Sequence, residues 1–336
     1  MIIDTHAHAF PAFAKKAEAF VGQALGEQAQ SSLKAAGAVA SALARTFSVE
    51  AKRVAERFGA KLPAVGIESV AELHAHGRPG VATFVEQAGT LALALPIALQ
   101  GSVDALLTSM NRAGIERTVL IGSPGVASNE WLLGEAVPQG AGRLVPVVTL
   151  PPLPKDADKA KWVDAWDALA TAGAAGFKIH PNMDGLGAQH VAWEALFEVA
   201  AARGVFVILH TGCFHVPTYR VGGPVKVGEF ERYFAAFPGV RVCLAHMGRE
   251  EPEPVWSALR RYPQLFTDTS WQPAEVVARA VQEVGADRIL LGSDWPLLHA
   301  DLQADALAVL RKAVGDGSEV FRAIAEENPL RFLGGV

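Results

Sequence analysis

The chain has 336 residues, half of them hydrophobic, and a formal net charge of −5. That is enough apolar material for one large core or two small ones, and the charge gives no electrostatic case for nucleic acid or an anionic membrane surface. Two cysteines, Cys213 and Cys243, exclude a disulfide framework; the longest apolar run, 90–99, contains Pro96 and is too short to span a bilayer; with neither a basic nor an apolar leader at the start, the expected location is cytoplasmic.

Ile2 and Ile3 open a first strand that runs into Asp4-Thr5-His6-Ala7-His8. Residues two apart in a strand share a face, roughly 7 Å apart along it. His6 and His8 can therefore offer neutral ring nitrogens to one divalent cation. The plain alternative is a pair of partly exposed histidines at a strand end. Residues 11–102 change character: they are Ala-rich, with Lys, Glu, Gln and Arg interspersed, and are broken later by Pro63, Gly66, Gly77, Pro79 and Gly80. This composition predicts a mainly helical insertion after the first strand. It would serve as a cap or an oligomer surface, or as a packing appendage, and a homo-oligomer is compatible with it.

From residue 102 the pattern becomes regular. Helix is expected at 103–113, with Gly114 as its stop, and strand at 117–122 (RTVLIG). A helix near 128–138 precedes a strand at 144–150, and a helix at 156–172 leads to a strand at 176–180 (GFKIH). Helix 190–203, strand 205–210 (VFVILH), helix 226–237 and strand 240–246 (VRVCLAH) follow. Helix 253–262, a short strand at 265–268, helix 273–284 and strand 288–292 (RILLG) come next, and helices near 302–315 and 318–327 close the chain. About eight short apolar strands alternate with helices, as in a parallel sheet buried on both faces. The expected fold is a single (β/α)8 TIM barrel spanning 1–336, with the insertion inside it. An open doubly wound sheet is second, weakened by the absence of G-x-G-x-x-G after the first strand.

The ionisable residues fall at the strand ends. His6 and His8 end the first strand, Lys178 and His180 the fourth, His210 the fifth and His246 the sixth; Asp294 lies two residues past the eighth. In a parallel barrel these C-terminal ends converge on one mouth, where the chemistry of such folds is done. Five histidines, a lysine and an aspartate at the same end point to a shared site.

The strings DTHAH (4–8), GFKIHP (176–181), LH (209–210), AHMG (245–248) and GSDWP (292–296), with the closing ENPLRFL (327–333), resemble the amidohydrolase superfamily. Within it they are similar to the amidohydrolase-related branch that contains aminocarboxymuconate-semialdehyde decarboxylase-like enzymes. The resemblance covers 1–10 and about 103–336. It implies that His6, His8 and His210 are metal ligands and that Asp294 completes the set. His246 would be a second-metal ligand or, in one-metal members, a catalytic histidine beside the ion. Three imidazoles and a carboxylate suit Zn²⁺ or a similar divalent ion with one position open for water, and such an ion lowers the pKa of bound water to about 7. Asp294 could then take and return a proton, and His246 could polarise or protonate a substrate oxygen. Lys178 has three readings: a carboxylated bridge between two metals, a contact to substrate or a neighbouring carboxylate, or a salt-bridged barrel lysine. The branch favours one ion over two.

Other residues carry weaker expectations. His180 is a substrate contact on the face of Lys178. Asp4 could orient a histidine from one layer down. Arg220 and Arg249 could pair with a substrate carboxylate. His74, His76, His190, His215 and His299 read as loop residues, the last two near the mouth; Trp271 and Trp295 could wall it, and Cys213 is a loop residue rather than a nucleophile. The expected function is hydrolysis of a small amide, lactone or ester by a metal-activated water. The alternative is metal-dependent, non-oxidative decarboxylation of a small carboxylic acid. A metal-independent lactonase is also known in the branch. A non-catalytic scaffold is disfavoured, because it need not keep Asp294.

Overall fold

Eight parallel strands follow one another around a single sheet: β1 Ile3–His8, β2 Arg117–Ile121, β3 Leu144–Val148, β4 Gly176–Ile179, β5 Phe206–His210, β6 Val242–Ala245, β7 Leu265–Asp268 and β8 Ile289–Leu290. The computed structural model describes residues 1–11, 101–124, 127–212, 225–297 and 301–334. The expected insertion at 11–102 falls almost wholly outside the described residues, as do His74, His76, Cys213, His215, Arg220 and His299. The backbone beyond β8 closes the sheet on β1: Thr5 N–H donates to Leu291 O (2.8 Å), Asp294 N–H to His6 O (2.7 Å) and His8 N–H to Trp295 O (2.7 Å). The architecture is thus the expected (β/α)8 barrel. Among the described residues no helix is long and apolar enough to cross a membrane.

The strands are buried on both faces, which is why their sequences run apolar without alternation. One apolar cluster lies between strands and helices and includes Trp162, Trp166, Phe177, Trp193, Leu209 and Leu244. The other collects the opposite strand faces, from Ile3, Val119 and Val145 to Phe206, Ile208 and Phe266. Phe332, from the last helix, packs its ring 4.6 Å from Phe206 and 5.2 Å from Phe266 and fills one end of this inner core. Gly176 is a glycine because of the same layer: a Cβ there would lie 2.5 Å from the Phe206 ring.

Several elements differ from their expected form. The helix over 129–139 carries a π turn at Leu132–Ala136, and the closing helix over 319–333 carries one at Ala323–Glu327. Each π turn immediately precedes a helical turn with proline near its start, Pro138 and Pro329. A proline supplies no N–H to the ladder, and the wider turn passes that gap without ending the helix. The closing helix therefore runs past its expected end at 327. β4 and β6 stop one residue short of His180 and His246, and Pro181–Asp184 forms a short helix that was not expected.

Candidate metal centre

The pairing of β1 with β2 slips between Asp4 and Ala7, so that Thr5 and His6 oppose the single residue Val119. His6 is fully buried and the His8 ring slightly exposed. Each ring is held through Nδ1. His6 Nδ1 lies 2.9 Å from Asp268 Oδ2, and His8 Nδ1 lies 3.1 Å from Ile121 O and 3.2 Å from Ser123 Oγ, which can accept the same proton. An ionised carboxylate and a carbonyl can only accept, so both Nδ1 atoms carry the proton and both Nε2 atoms keep a lone pair.

Asp294 meets those lone pairs. Its Oδ1 is 3.4 Å from His6 Nε2 and 3.2 Å from His8 Nε2, is buried, and has no hydrogen-bond partner. Its Oδ2 accepts the indole N–H of Trp271. The chain reaches this position through Asp4, whose buried carboxylate accepts the N–H of His6 (3.1 Å), the N–H of Ser293 (3.0 Å), the Ser293 hydroxyl (2.6 Å) and the Gln303 amide (2.9 Å). Asp4 thus orients backbone rather than an imidazole, and its pKa is pushed up to about 6 by burial against the pull of those donors. Asp294 itself sits at φ 59°, one of several non-glycine residues held at positive φ beyond the strand ends, with His246 (62°), Met247 (49°), Arg249 (53°) and Trp271 (63°). Such conformations persist where surroundings over-determine them. Here Gln272 Nε2 donates to both His246 O (2.7 Å) and Arg249 O (3.0 Å), and Gly248 N–H donates to Thr211 Oγ1 (3.0 Å).

The other expected residues surround this trio. Lys178 Nζ is 3.4 Å from His6 Nε2. The His246 ring is 4.7 Å from that of His6 and 4.9 Å from that of His210, and His180 stacks on His210 at 4.0 Å and 11°. Burial lowers the pKa of each of these groups. For Lys178 the facing Asp294 and Asp268 oppose it; for His6, burial and Lys178 outweigh Asp268 and Asp294; for His180, His210 and His246, neighbouring cationic groups add to it and the shift is large. Burial pushes the Asp294 carboxyl up, but the positive charge of His6 and His8 in their protonated forms, with the Trp271 N–H, outweighs it and holds the group below the usual carboxylate range.

Ligand atoms of His6, His8 and Asp294 all lie within 4.8 Å of one another, as do those of His6, His246 and Asp268. Two lone-pair nitrogens and an unpartnered carboxylate oxygen facing each other fit a divalent cation. His210, the expected fourth ligand, lies outside both tight groups but adjoins them through His246. Asp268 and Ser270 carried no expectation. The signal was available, since Asp268 ends β7 as the others end theirs. His190, read as a loop residue, is an N-cap: its Nδ1 accepts Ala192 N–H (3.1 Å) and its Nε2 reaches Lys155 O (2.8 Å). Arg249 is buried with its guanidinium 4.3 Å over Trp271, which ties that ring to the mouth. Trp295 is fully buried, and its backbone joins β1.

Comparisons with known proteins bear on the fold and the family. The solved 5-carboxyvanillate decarboxylase of Sphingomonas paucimobilis is similar in fold (TM-score 0.57, 13% identity, 99% of this chain and 98% of that one). So is a probable 2-pyrone-4,6-dicarboxylic acid hydrolase of Acinetobacter baumannii, solved with citric acid bound (TM-score 0.52, 14% identity, 99% of each chain). An uncharacterised TIM-barrel protein of Bordetella bronchiseptica is also similar (TM-score 0.57, 19% identity, 71% of this chain and 85% of that one). A search of curated proteins finds no match. The amidohydrolase family model, by contrast, matches residues 3–335, nearly the whole sequence, and the chain belongs to the amidohydrolase family.

Proposed function

We propose that this chain is a metal-dependent hydrolase of a small amide, lactone or ester, with His6, His8, His210 and Asp294 holding one divalent ion of the Zn²⁺ type. The observation that carries the reading is the divided carboxylate of Asp294: Oδ1 faces two imidazole lone pairs without a hydrogen bond, while Oδ2 is fixed by Trp271. When bound, such an ion supplies Lewis acidity and brings the pKa of a coordinated water to about 7.

The residues divide the remaining work. Asp294 takes the proton released as the water oxygen bonds to the carbonyl carbon, and returns it to the departing nitrogen or oxygen as that bond breaks. His246 holds its Nδ1 against Ser270 Oγ at 2.7 Å and is kept neutral by burial. In that state its Nε2 accepts, so His246 can hold the attacking water by accepting a hydrogen bond from it and has no Nε2 proton to give to a substrate oxygen. Lys178, buried beside His6, sits where a substrate oxygen or carboxylate would meet a cation.

The second reading, decarboxylation of a small carboxylic acid, draws support from the two buried cations at this mouth, Lys178 and Arg249. Both suit an anionic substrate. The barrel fold hosts both chemistries and does not choose between them. The test has two parts. Elemental analysis of the metal-replete protein should find about one divalent ion per chain, lost in His6→Ala/His8→Ala. A panel of lactones, esters, amides and aromatic carboxylic acids, followed by mass spectrometry, should then show products that have gained water. Products that have lost carbon dioxide would select the second reading, and equal metal content in the double variant would sink both.

A further inference from the structure

We propose that Asp268 and Ser270 form a tautomer clamp: one buried carboxylate fixes the proton on Nδ1 of both His6 and His246, and so keeps both Nε2 atoms as lone-pair donors. The consequence for metal binding and proton transfer rests on the function proposed above; the clamp itself rests on geometry alone.

Asp268 is fully buried at the C-terminal end of β7, and both of its oxygens are committed. Oδ2 accepts His6 Nδ1–H at 2.9 Å and the Cys243 thiol at 3.7 Å. Oδ1 accepts the backbone N–H of His246 (3.2 Å), the backbone N–H of Ser270 (3.0 Å) and the Ser270 hydroxyl. A serine hydroxyl has one proton. Ser270 gives it to Asp268, so the 2.7 Å contact between Ser270 Oγ and His246 Nδ1 has to be donated by the imidazole. The opposite arrangement would set two oxygen lone pairs against each other between Ser270 Oγ and Asp268 Oδ1. The carboxylate would then need a proton, yet Oδ1 already accepts two backbone N–H groups.

The surroundings protect this arrangement. A Cβ on Gly292 would lie 3.0 Å from Asp268 Cβ, Cγ and Oδ1, so the chain leaving β8 can pass the carboxylate only as glycine without crowding it. His8 provides a contrast. Its Nδ1 meets Ile121 O (3.1 Å) and Ser123 Oγ (3.2 Å) and not Asp268, so its tautomer is set independently.

An asparagine at 268 has the right shape and the wrong chemistry, because one end of its amide donates. It cannot accept from His6 and from Ser270 at once. Asp268→Asn should therefore shift His6, His246 or both toward the Nε2–H tautomer, and Zn²⁺ affinity should fall about 10- to 100-fold, as when the group behind a ligating histidine is removed. Ser270→Ala should release His246 alone, and Ser270→Thr should restore it.

The direct readout is NMR of isotope-labelled ring nitrogens in the full-length chain without added metal, which separates Nδ1–H from Nε2–H imidazoles. The expected result is Nδ1–H on His6, His8 and His246 in the wild type, with His8 unchanged in every variant. Nε2–H on His6 or His246 in the wild type would overturn the clamp, as would an unaltered His246 in Ser270→Ala. Should Asp268→Asn not fold, the Ser270→Ala and Ser270→Thr pair with the wild-type spectrum still decides. A wild type that shows both Nδ1–H signals but binds no Zn²⁺ would support the clamp and remove the metal reading.

Discussion

The two ends of the barrel are built on opposite principles. At one end Phe206, Phe266 and Phe332 meet in contacts that bury only carbon, and Gly176 makes room for a ring. Four residues further along β5, on the same face, stands His210; two further along β7 stands Asp268. There the interior is occupied by buried imidazoles, a lysine and carboxylates, and the backbone beyond the strands adopts positive φ at Asp294, His246, Arg249 and Trp271. The first end gains free energy from apolar burial at about 25 cal/mol per Å². The second desolvates ionisable groups and holds strained turns, both of which cost stability. One end therefore stabilises what the other puts at risk, and substitutions should separate the two.

The largest expected effect is at the mouth. Asp294→Asn keeps an oxygen that can coordinate but loses the ability to accept a proton. Turnover on whatever substrate the panel finds should drop about 10²- to 10⁴-fold, metal affinity should fall only in part, and substrate binding should change much less. Near-normal turnover would reduce Asp294 to a ligand and move proton handling to His246.

The complementary cut is Phe332→Ala at the apolar end. Phe332 is fully buried against two rings. Removing it should cost about 3–5 kcal/mol in urea unfolding, with the metal content of the folded fraction unchanged. A loss of metal at full folding would show that the two ends are coupled, and would break the contrast.

Much of this division was legible in the sequence. The barrel followed from strand–helix alternation, a local pattern repeated eight times, and the clustering of the candidate residues from polar side chains at several strand ends. The misses are of a different kind. β4 and β6 stop short of their histidines because His180 turns into the short helix over Pro181–Asp184 and His246 takes positive φ. Both conformations are fixed by partners remote in sequence or by the next turn. Asp268 ends its strand as the histidines end theirs, but it has no neighbouring motif to single it out, and its partners His6 and His246 lie 262 and 22 residues away. Asp4 sits two residues from His6, yet its carboxylate serves Ser293, 289 residues on. Contacts of that span are set by barrel closure and leave no mark on spacing.

A third prediction uses pH. Asp184 accepts His180 N–H at 2.8 Å, but burial pushes its pKa up from 3.8 to about 7. An acid whose folded pKa is raised is penalised when ionised. The folded state then binds more protons than the unfolded state between about pH 4 and 7, and stability from this group declines across that window as pH rises. At 1.36 kcal/mol per unit the full cost is about 4 kcal/mol, an upper value. Asp184→Asn keeps an oxygen for the His180 N–H and has nothing to ionise. Relative to wild type it should gain about 2–4 kcal/mol between pH 5 and pH 8 in urea unfolding. A difference that does not vary with pH would mean that Asp184 ionises at its ordinary value.

The smallest effect sets two histidines of one connection against each other. His180 and His190 both follow β4, and both rings accept a backbone N–H in the first turn of a helix, from Met183 (3.4 Å) and Ala192 (3.1 Å) respectively. Only His180 stacks on the mouth, against His210. His190 instead packs edge-on to Trp162 and reaches Lys155 O. His190→Ala should therefore cost about 1 kcal/mol, the usual worth of an N-cap, with metal content and turnover unaltered. His190→Asn should recover most of that stability, because asparagine caps as well as any residue. His180→Ala should reverse the pattern: it exposes one face of His210, so the metal site should respond more than the unfolding midpoint. If His190→Ala disturbed metal binding as much as His180→Ala, the polar centre would extend beyond the strand ends into the helix that follows β4.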